Sequence, residues 1–194
     1  ETKRLAGANP VDPEAYEAFM RGQYFLDQGP MGAEKANALF QLAVDEDPNY
    51  AQGFAALAYS YILMGNYQVR PPKEVFPLAK ATALKAQEMD DGLAETQKAL
   101  VVVKWSYERD WQGVDKSLTR ALELNPSDAM AHNWHAQYLS LMGRHEEAVA
   151  AIKKAQEIDP VSLSVGAHVG RILYFAGKYD DAIHELQRAL ELNP

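Results

Sequence analysis

Apolar residues recur along this chain at i, i+3, i+4 and i+7, the spacing of one face of an α-helix. Phe54, Leu57, Ala58 and Tyr61 show it most clearly, and His132, His135, Ala136 and Leu139 repeat it with two histidines in the leading places. A second pattern follows each such stretch: a small residue, a larger apolar one four positions on, and another small one three further. Ala36-Phe40-Ala43, Ala148-Ile152-Ala155 and Ala182-Leu186-Ala189 fit it fully. Val114-Leu118-Ala121 and Ala79-Ala83-Ala86 fit it with one substitution each. Small residues on either side of a large one let two helices approach closely. The two patterns alternate, so they predict helical hairpins.

The hairpins keep a fixed period. SLTRALELNP, AIKKAQEIDP and ELQRALELNP end at Pro126, Pro160 and Pro194, which are 34 residues apart. A period between about 20 and 50 residues marks stacked repeats. Counting back gives approximate units 14–48, 49–91, 92–126, 127–160 and 161–194, hence five hairpins and ten helices. Gly22 and Phe25, Leu100 and Val101, and Val169, Gly170 and Leu173 mark the first helices of the less regular units. Residues 1–13, with Pro10 and Pro13, read as a lead-in linker. The expected fold class is all-α, an α-solenoid in which each hairpin buries its apolar face against the next.

Two units are stretched. The second runs 43 residues from Pro48 to Asp91, and its excess falls in GNYQVRPPKEVFP. Pro71, Pro72 and Pro77 are expected to keep that segment out of helix, with the next helix taking Pro77 in its first turn. Tyr67, Arg70 and Phe76 are the residues to test there, since excursions from one edge of a solenoid often carry contacts. The first unit widens around DQGPMGAE, and the third has about one extra residue near its turn.

Composition narrows function by exclusion. A hydrophobic share of 47% and a charged share of 24% are ordinary for a globular protein. No apolar run approaches the roughly 18 residues of a membrane span. The net charge of −8 disfavours nucleic acid as a partner of the bulk surface. Without cysteine there is no disulfide or thiolate chemistry. The first residue is Glu1 and the last closes a repeat, so the expectation is a piece of a longer polypeptide. The expected compartment is the cytoplasm, or the periplasm if the parent chain spans a membrane.

Candidate chemistry is sparse. His132 and His135 lie three apart, a spacing that can hold a metal, but they occupy the packing stripe. His145, His168 and His184 supply no evident third ligand, so no metal site is expected. VDEDPN lacks the glycine of a calcium loop. No phosphate loop, nucleophile elbow or paired-carboxylate site is present, so no catalytic residue and no cofactor are expected.

The 34-residue period and the hairpin pattern resemble the tetratricopeptide repeat (TPR) family across roughly 14–194. A narrower likeness lies in PEAYEAFMRGQYF, PPKEVFPLAKATALKAQEMDDGLAE and DWQGVDKSLTRALELNPSDAMAHNWHAQYLSLMGRHEEA. These strings look like TPR regions of bacterial multidomain signalling proteins, where such arrays follow a cyclase, winged-helix or Ser/Thr kinase domain. The resemblance implies a right-handed superhelix serving as a regulatory arm, and it transfers no active site.

It also implies where binding falls, because first helices line the concave side in TPR proteins. The outward positions are Tyr16, Phe19, Gln23 and Leu26; Gln52, Ala55, Tyr59 and Ile62; Glu95, Lys98, Val102 and Trp105; Met130, Asn133, Gln137 and Ser140; Ser164, Ala167, Arg171 and Tyr174. The expected groove is carried by Tyr16, Phe19, Gln23, Gln52, Tyr59, Lys98, Val102, Trp105, Asn133, Gln137, Arg171 and Tyr174. Aromatic and arginine side chains dominate interface energetics, so a protein or peptide is the expected partner. The carboxylate clamp of chaperone-binding TPR domains is absent, with Lys98 and Asn133 its single matches. A ligand-responsive sensor and a self-associating scaffold joined through the solenoid ends are the rival readings.

Overall fold

The computed structural model describes residues 11–192, so most of the expected linker and the closing Asn193-Pro194 lie outside the described residues. Among the described residues there are ten α-helices and no strand. They are α1 Pro13–Leu26, α2 Ala33–Glu46, α3 Ala51–Asn66, α4 Pro72–Met89, α5 Ala94–Val102, α6 Trp111–Leu124, α7 Ala129–Leu141, α8 His145–Ile158, α9 Leu163–Phe175 and α10 Tyr179–Leu192. The chain divides into two compact units, the first ending at Arg109 and the second beginning at Asp110. The hairpins α1/α2 and α3/α4 belong to the first, and α7/α8 and α9/α10 to the second. The third expected pair, α5 and α6, is divided between the units.

Local chemistry explains the helix ends. Asp12, Asp110 and Asp128 cap α1, α6 and α7 by accepting from backbone N–H groups at 2.8, 2.9 and 3.0 Å. Such caps satisfy donors that the first turn leaves open. The closing motif ends α2, α6 and α8, because a residue before proline is pushed out of helical geometry. Asp47, Asn125 and Asp159 are indeed extended or nearly so, and each still donates its N–H to the alanine four residues back. Asp90 does the same without a following proline. Its carboxylate accepts the Gly92 N–H at 2.9 Å and builds the turn itself. Gly143 and Gly177, 34 residues apart, both sit at φ 75° just past α7 and α9. That left-handed geometry suits glycine and lets Arg144 and Lys178 donate back to Leu139 and Leu173 at 2.9 Å.

The small-large-small pattern makes the core. In the first unit, Phe40 and Val44 of α2 pack with Phe54 and Leu57 of α3 and Ala86 of α4. A neighbouring cluster joins Ala58 and Ile62 of α3, Phe76, Ala79 and Ala83 of α4, and Leu100 of α5. Ser60 is fully buried, accepts from Asn37 of α2 at 2.9 Å and donates to the Leu57 carbonyl at 2.7 Å. In the second unit Leu118, Ala148, Ile152 and Ala155 are buried completely.

Two expectations about the stretched units change. Pro77 does not open α4; the helix begins at Pro72 and runs straight through it. Proline inside a helix leaves the carbonyl four residues back without its N–H partner, and here both Pro77 and Lys73 are exposed, so water can serve. Val75 and Phe76 are buried beneath that exposed face and hold the first turns down. The extra length therefore goes into helix: α3 has 16 residues and α4 has 18, against 13 and 14 in α7 and α8. In the third unit the surplus residue is taken up by a π-helical stretch, Val103–Glu108, that continues α5 and ends on left-handed Arg109 at φ 59°. A π turn accommodates one added residue within a helix.

Candidate functional site

In the second unit, three of the expected groove residues meet. Arg171 of α9 donates to the Gln137 side-chain carbonyl of α7 at 2.6 Å. The Gln137 amide nitrogen donates to Asn133 Oδ1 at 3.2 Å. The same oxygen lies 2.8 Å from Nδ1 of His168. A carbonyl oxygen only accepts, so this shorter contact requires the His168 proton on Nδ1, whereas the Gln137 amide nitrogen lies farther from the same Nδ1, at 3.4 Å. Asn133 is buried, His168 and Gln137 are half-buried, and Arg171 is exposed at the open end of the chain of bonds. Tyr174, one turn beyond Arg171, is exposed and packs edge-on against Phe175, with centroids 5.6 Å apart.

His168 was not among the expected site residues. Its signal lay in the period: it stands 35 residues after Asn133, one repeat plus one place, which sets it over that amide on the adjacent first helix. Burial is the first cause holding its pKa below the ordinary 6.5, and the neighbouring Arg171 charge the second. The folded protein therefore resists protonating His168 while the unfolded chain takes up the proton near 6.5. Its contribution to stability is whole above that pH and is lost as pH falls from 6.5 to the lowered folded value. His135 moves in the same direction, chiefly by burial, with Asp115, Arg144, His132 and Glu147 as its charged or titratable neighbours. Thermal melts from roughly pH 7.5 down to roughly pH 5.5 should thus show declining stability, with a shallower decline for His168→Gln. An unchanged pH slope in that variant would refute the assignment.

The first unit supplies a more aromatic surface. Tyr16 and Gln52 are exposed on α1 and α3, and Gln23 is half-buried. Phe19 is half-buried, packed against Phe40 at 5.8 Å and Tyr50 at 5.3 Å. Its ring serves the core as well as the surface. Tyr59 is half-buried, and burial first, then Tyr67, raises its phenol pKa. Lys98 is half-buried, and Val102 packs against the cluster around Leu100 and Ile62. Trp105 lies in the π stretch, where its carbonyl accepts from Arg109 at 3.5 Å. Ala55 and Ile62, expected on the open face, are buried instead, because α3 is flanked by α2 on one side and α4 and α5 on the other. The histidines of the packing stripe are placed structurally: His132 Nε2 donates to the Pro126 carbonyl at 2.9 Å, and His135 is half-buried. Among the described residues no three His, Asp or Glu side chains are grouped to hold a metal, and no helix is long and apolar enough to cross a membrane.

Successive helical hairpins packed through alanines, with α2, α6 and α8 closed by the same Asp/Asn-Pro turn, define an α-helical repeat scaffold. Residues 115–162 and 167–194 match family models described as tetratricopeptide repeat. These residues therefore carry tetratricopeptide repeats, units that serve as scaffold for protein–protein interaction, and the helices before them share the same all-α repeat fold. It is similar to the transcriptional regulator HilA of Salmonella typhimurium, 26% identical over 184 residues, which cover 94% of this chain and 33% of that protein. It is also similar to the small glutamine-rich tetratricopeptide repeat-containing protein 2 of Mycosarcoma maydis, 29% identical over 60% of this chain and 29% of that one. The chain thus spans about a third of the length of these relatives. Among solved structures, a thermophilic TPR protein of Thermus thermophilus superposes with a TM-score of 0.76 over 93% of this chain and 92% of its own, at 18% identity. PilF of Pseudomonas aeruginosa gives 0.75 over 95% and 78%, also at 18%.

Proposed function

We propose that this chain is the non-catalytic, partner-binding arm of a longer bacterial regulatory protein, and that its first helices receive a protein segment or peptide. The observation that carries this reading is the likeness to one third of a transcriptional regulator along 94% of the chain. A further support is the structural likeness, at 21% identity and a TM-score of 0.60, to YrrB, described as a TPR protein with an unusual peptide-binding site. The first helices carry the needed chemistry: exposed Tyr16 and Gln52 with half-buried Tyr59 in the first unit, and exposed Arg171 and Tyr174 with half-buried Gln137 in the second. Rings offer apolar area, and amides pair with peptide backbone.

Photo-crosslinking tests the surface. Peptides selected by display on the 194-residue chain are bound to variants carrying a photoreactive residue at Gln52 or Tyr174, or at Lys153 on the second helix α8. Labelling from Gln52 or Tyr174 and none from Lys153 is the expected result. Labelling confined to Lys153, or a display that selects no common sequence, would defeat the reading. In the longer protein, Gln137→Ala should alter the regulated output while leaving this arm folded.

A further inference from the structure

The hydrogen bonds between α7 and α9 take their direction from one fixed end. A guanidinium only donates, so the Gln137 oxygen faces Arg171, at 2.6 Å. That turns the Gln137 nitrogen toward Asn133, whose oxygen accepts at 3.2 Å. The same oxygen accepts from His168 Nδ1, at 2.8 Å. Asn133 Nδ2 is thereby directed away from both neighbours, and the His168 proton is drawn to Nδ1.

Two groups are left over. Asn133 is only 4% exposed, and its Nδ2 donors meet no partner among the described residues. His168 is half-buried, and its Nε2 is a bare lone pair that no donor among the described residues meets. Burial and the Arg171 charge disfavour a second proton on the ring, so this acceptor persists near neutrality. The two groups flank the bond that joins their side chains. That bond lies in the contact between neighbouring first helices inside the second unit. A ligand that offers an acceptor and a donor together satisfies both groups.

We propose that this pair binds the primary amide of an asparagine or glutamine side chain in the partner segment, with Asn133 Nδ2 donating to its oxygen and His168 Nε2 accepting from its nitrogen. A primary amide presents an oxygen and an N–H along one edge, whereas a trans peptide group points them in opposite directions. A carboxylate has acceptors only and would set one of them against the His168 lone pair. A cationic donor meets the Arg171 charge, the same repulsion that opposes protonation of the ring. The proposal rests on the groove reading and deepens it, naming what one part of the groove selects. Asn133 and His168 are the contacts, and Gln137 and Arg171 are positioning residues that fix which atoms face the ligand.

Nitrogen-15 NMR of the imidazole tests the arrangement without any ligand. Spectra of the 194-residue chain are recorded at roughly pH 8, above the ordinary histidine pKa. The His168 signals, identified by their loss in His168→Gln, should show a protonated Nδ1 and a bare Nε2. Gln137→Glu should reverse this. A carboxylate only accepts, so Asn133 turns its nitrogen to it, and the His168 proton moves to Nε2. A mere packing role for Gln137 would leave the tautomer where it was. A protonated Nε2 in the unsubstituted chain, or an unmoved proton in Gln137→Glu, would overturn the proposal.

The ligand is tested with display-selected peptides that label from a photoreactive residue at Tyr174. Each is resynthesised with Asp and Glu in place of its Asn and Gln. By fluorescence anisotropy the amide forms should bind about tenfold more tightly than the acid forms. His168→Phe keeps a ring, removes the acceptor and should erase most of that difference. Peptides without Asn or Gln, equal affinities, or a preference that survives His168→Phe would overturn the proposal. Labelling from Gln52 alone would also overturn it and leave the groove reading standing, whereas labelling from neither Gln52 nor Tyr174 would defeat both.

Discussion

Phe40→Ala should destabilise the first unit by about 3–5 kcal/mol, the cost of deleting a fully buried aromatic ring and leaving its cavity. Phe40 has no solvent exposure and meets Phe54 and Leu57 across the α2/α3 contact. On the α1 side it meets the Phe19 ring and the backbone of Gly22, which has no side chain. A Cβ built at Gly22 would lie 2.6 Å from the Phe40 ring. Gly22→Ala alone should therefore cost about 1–3 kcal/mol through overpacking. In the Phe40→Ala background the ring is gone, and the same change should be neutral or favourable, since alanine is the better helix former by about 1 kcal/mol. Denaturant titration of the wild-type chain, the two single variants and the double variant gives the cycle. Additivity within about 0.5 kcal/mol would mean that the two positions do not share this space.

Ile152→Ala and Leu186→Ala remove similar groups from the same place in successive repeats, yet they should differ widely. Ile152 is fully buried, and its truncation should cost about 2–5 kcal/mol. Leu186, at 41% exposure, is only partly withdrawn from water, and its loss should cost less than about 1 kcal/mol. Hydrogen exchange of the α8 and α10 amides, with the melting temperature of each variant, measures both. Equal losses would show that Leu186 is withdrawn from water in solution as fully as Ile152.

The hairpin plan was legible because each element of it is local. An i, i+3, i+4 stripe marks a buried face, and an Asp or Asn before Pro ends a helix wherever it falls. Ala36, Phe40 and Ala43 could be placed in the core from spacing alone, and they lie there. The misplacement of Pro77 has an equally definite cause. Local rules count a lost hydrogen bond against helix, but they cannot count Val75 and Phe76 packing in α4 beneath that exposed face. The fate of the third unit's extra residue was likewise open, since a looser turn and a π stretch look the same in sequence.

The candidate site was legible in part. Asn133, Gln137 and Arg171 were picked out by register and are bonded together, while His168, one place off the register, completes the set. Ala55 and Ile62 had the right register and went to the core, because α3 has packed neighbours on both sides.

The sequence by itself determined helix content, the repeat length, the turn chemistry and the absence of a recognisable reaction motif, all of which depend on residues within one hairpin. Only the tertiary structure decided which equivalent positions are covered and which are open, and which amide, imidazole and guanidinium share hydrogen bonds. Burial and long-range bonding depend on the neighbour a face meets, and a period repeated identically along a chain carries no mark of which face meets which neighbour.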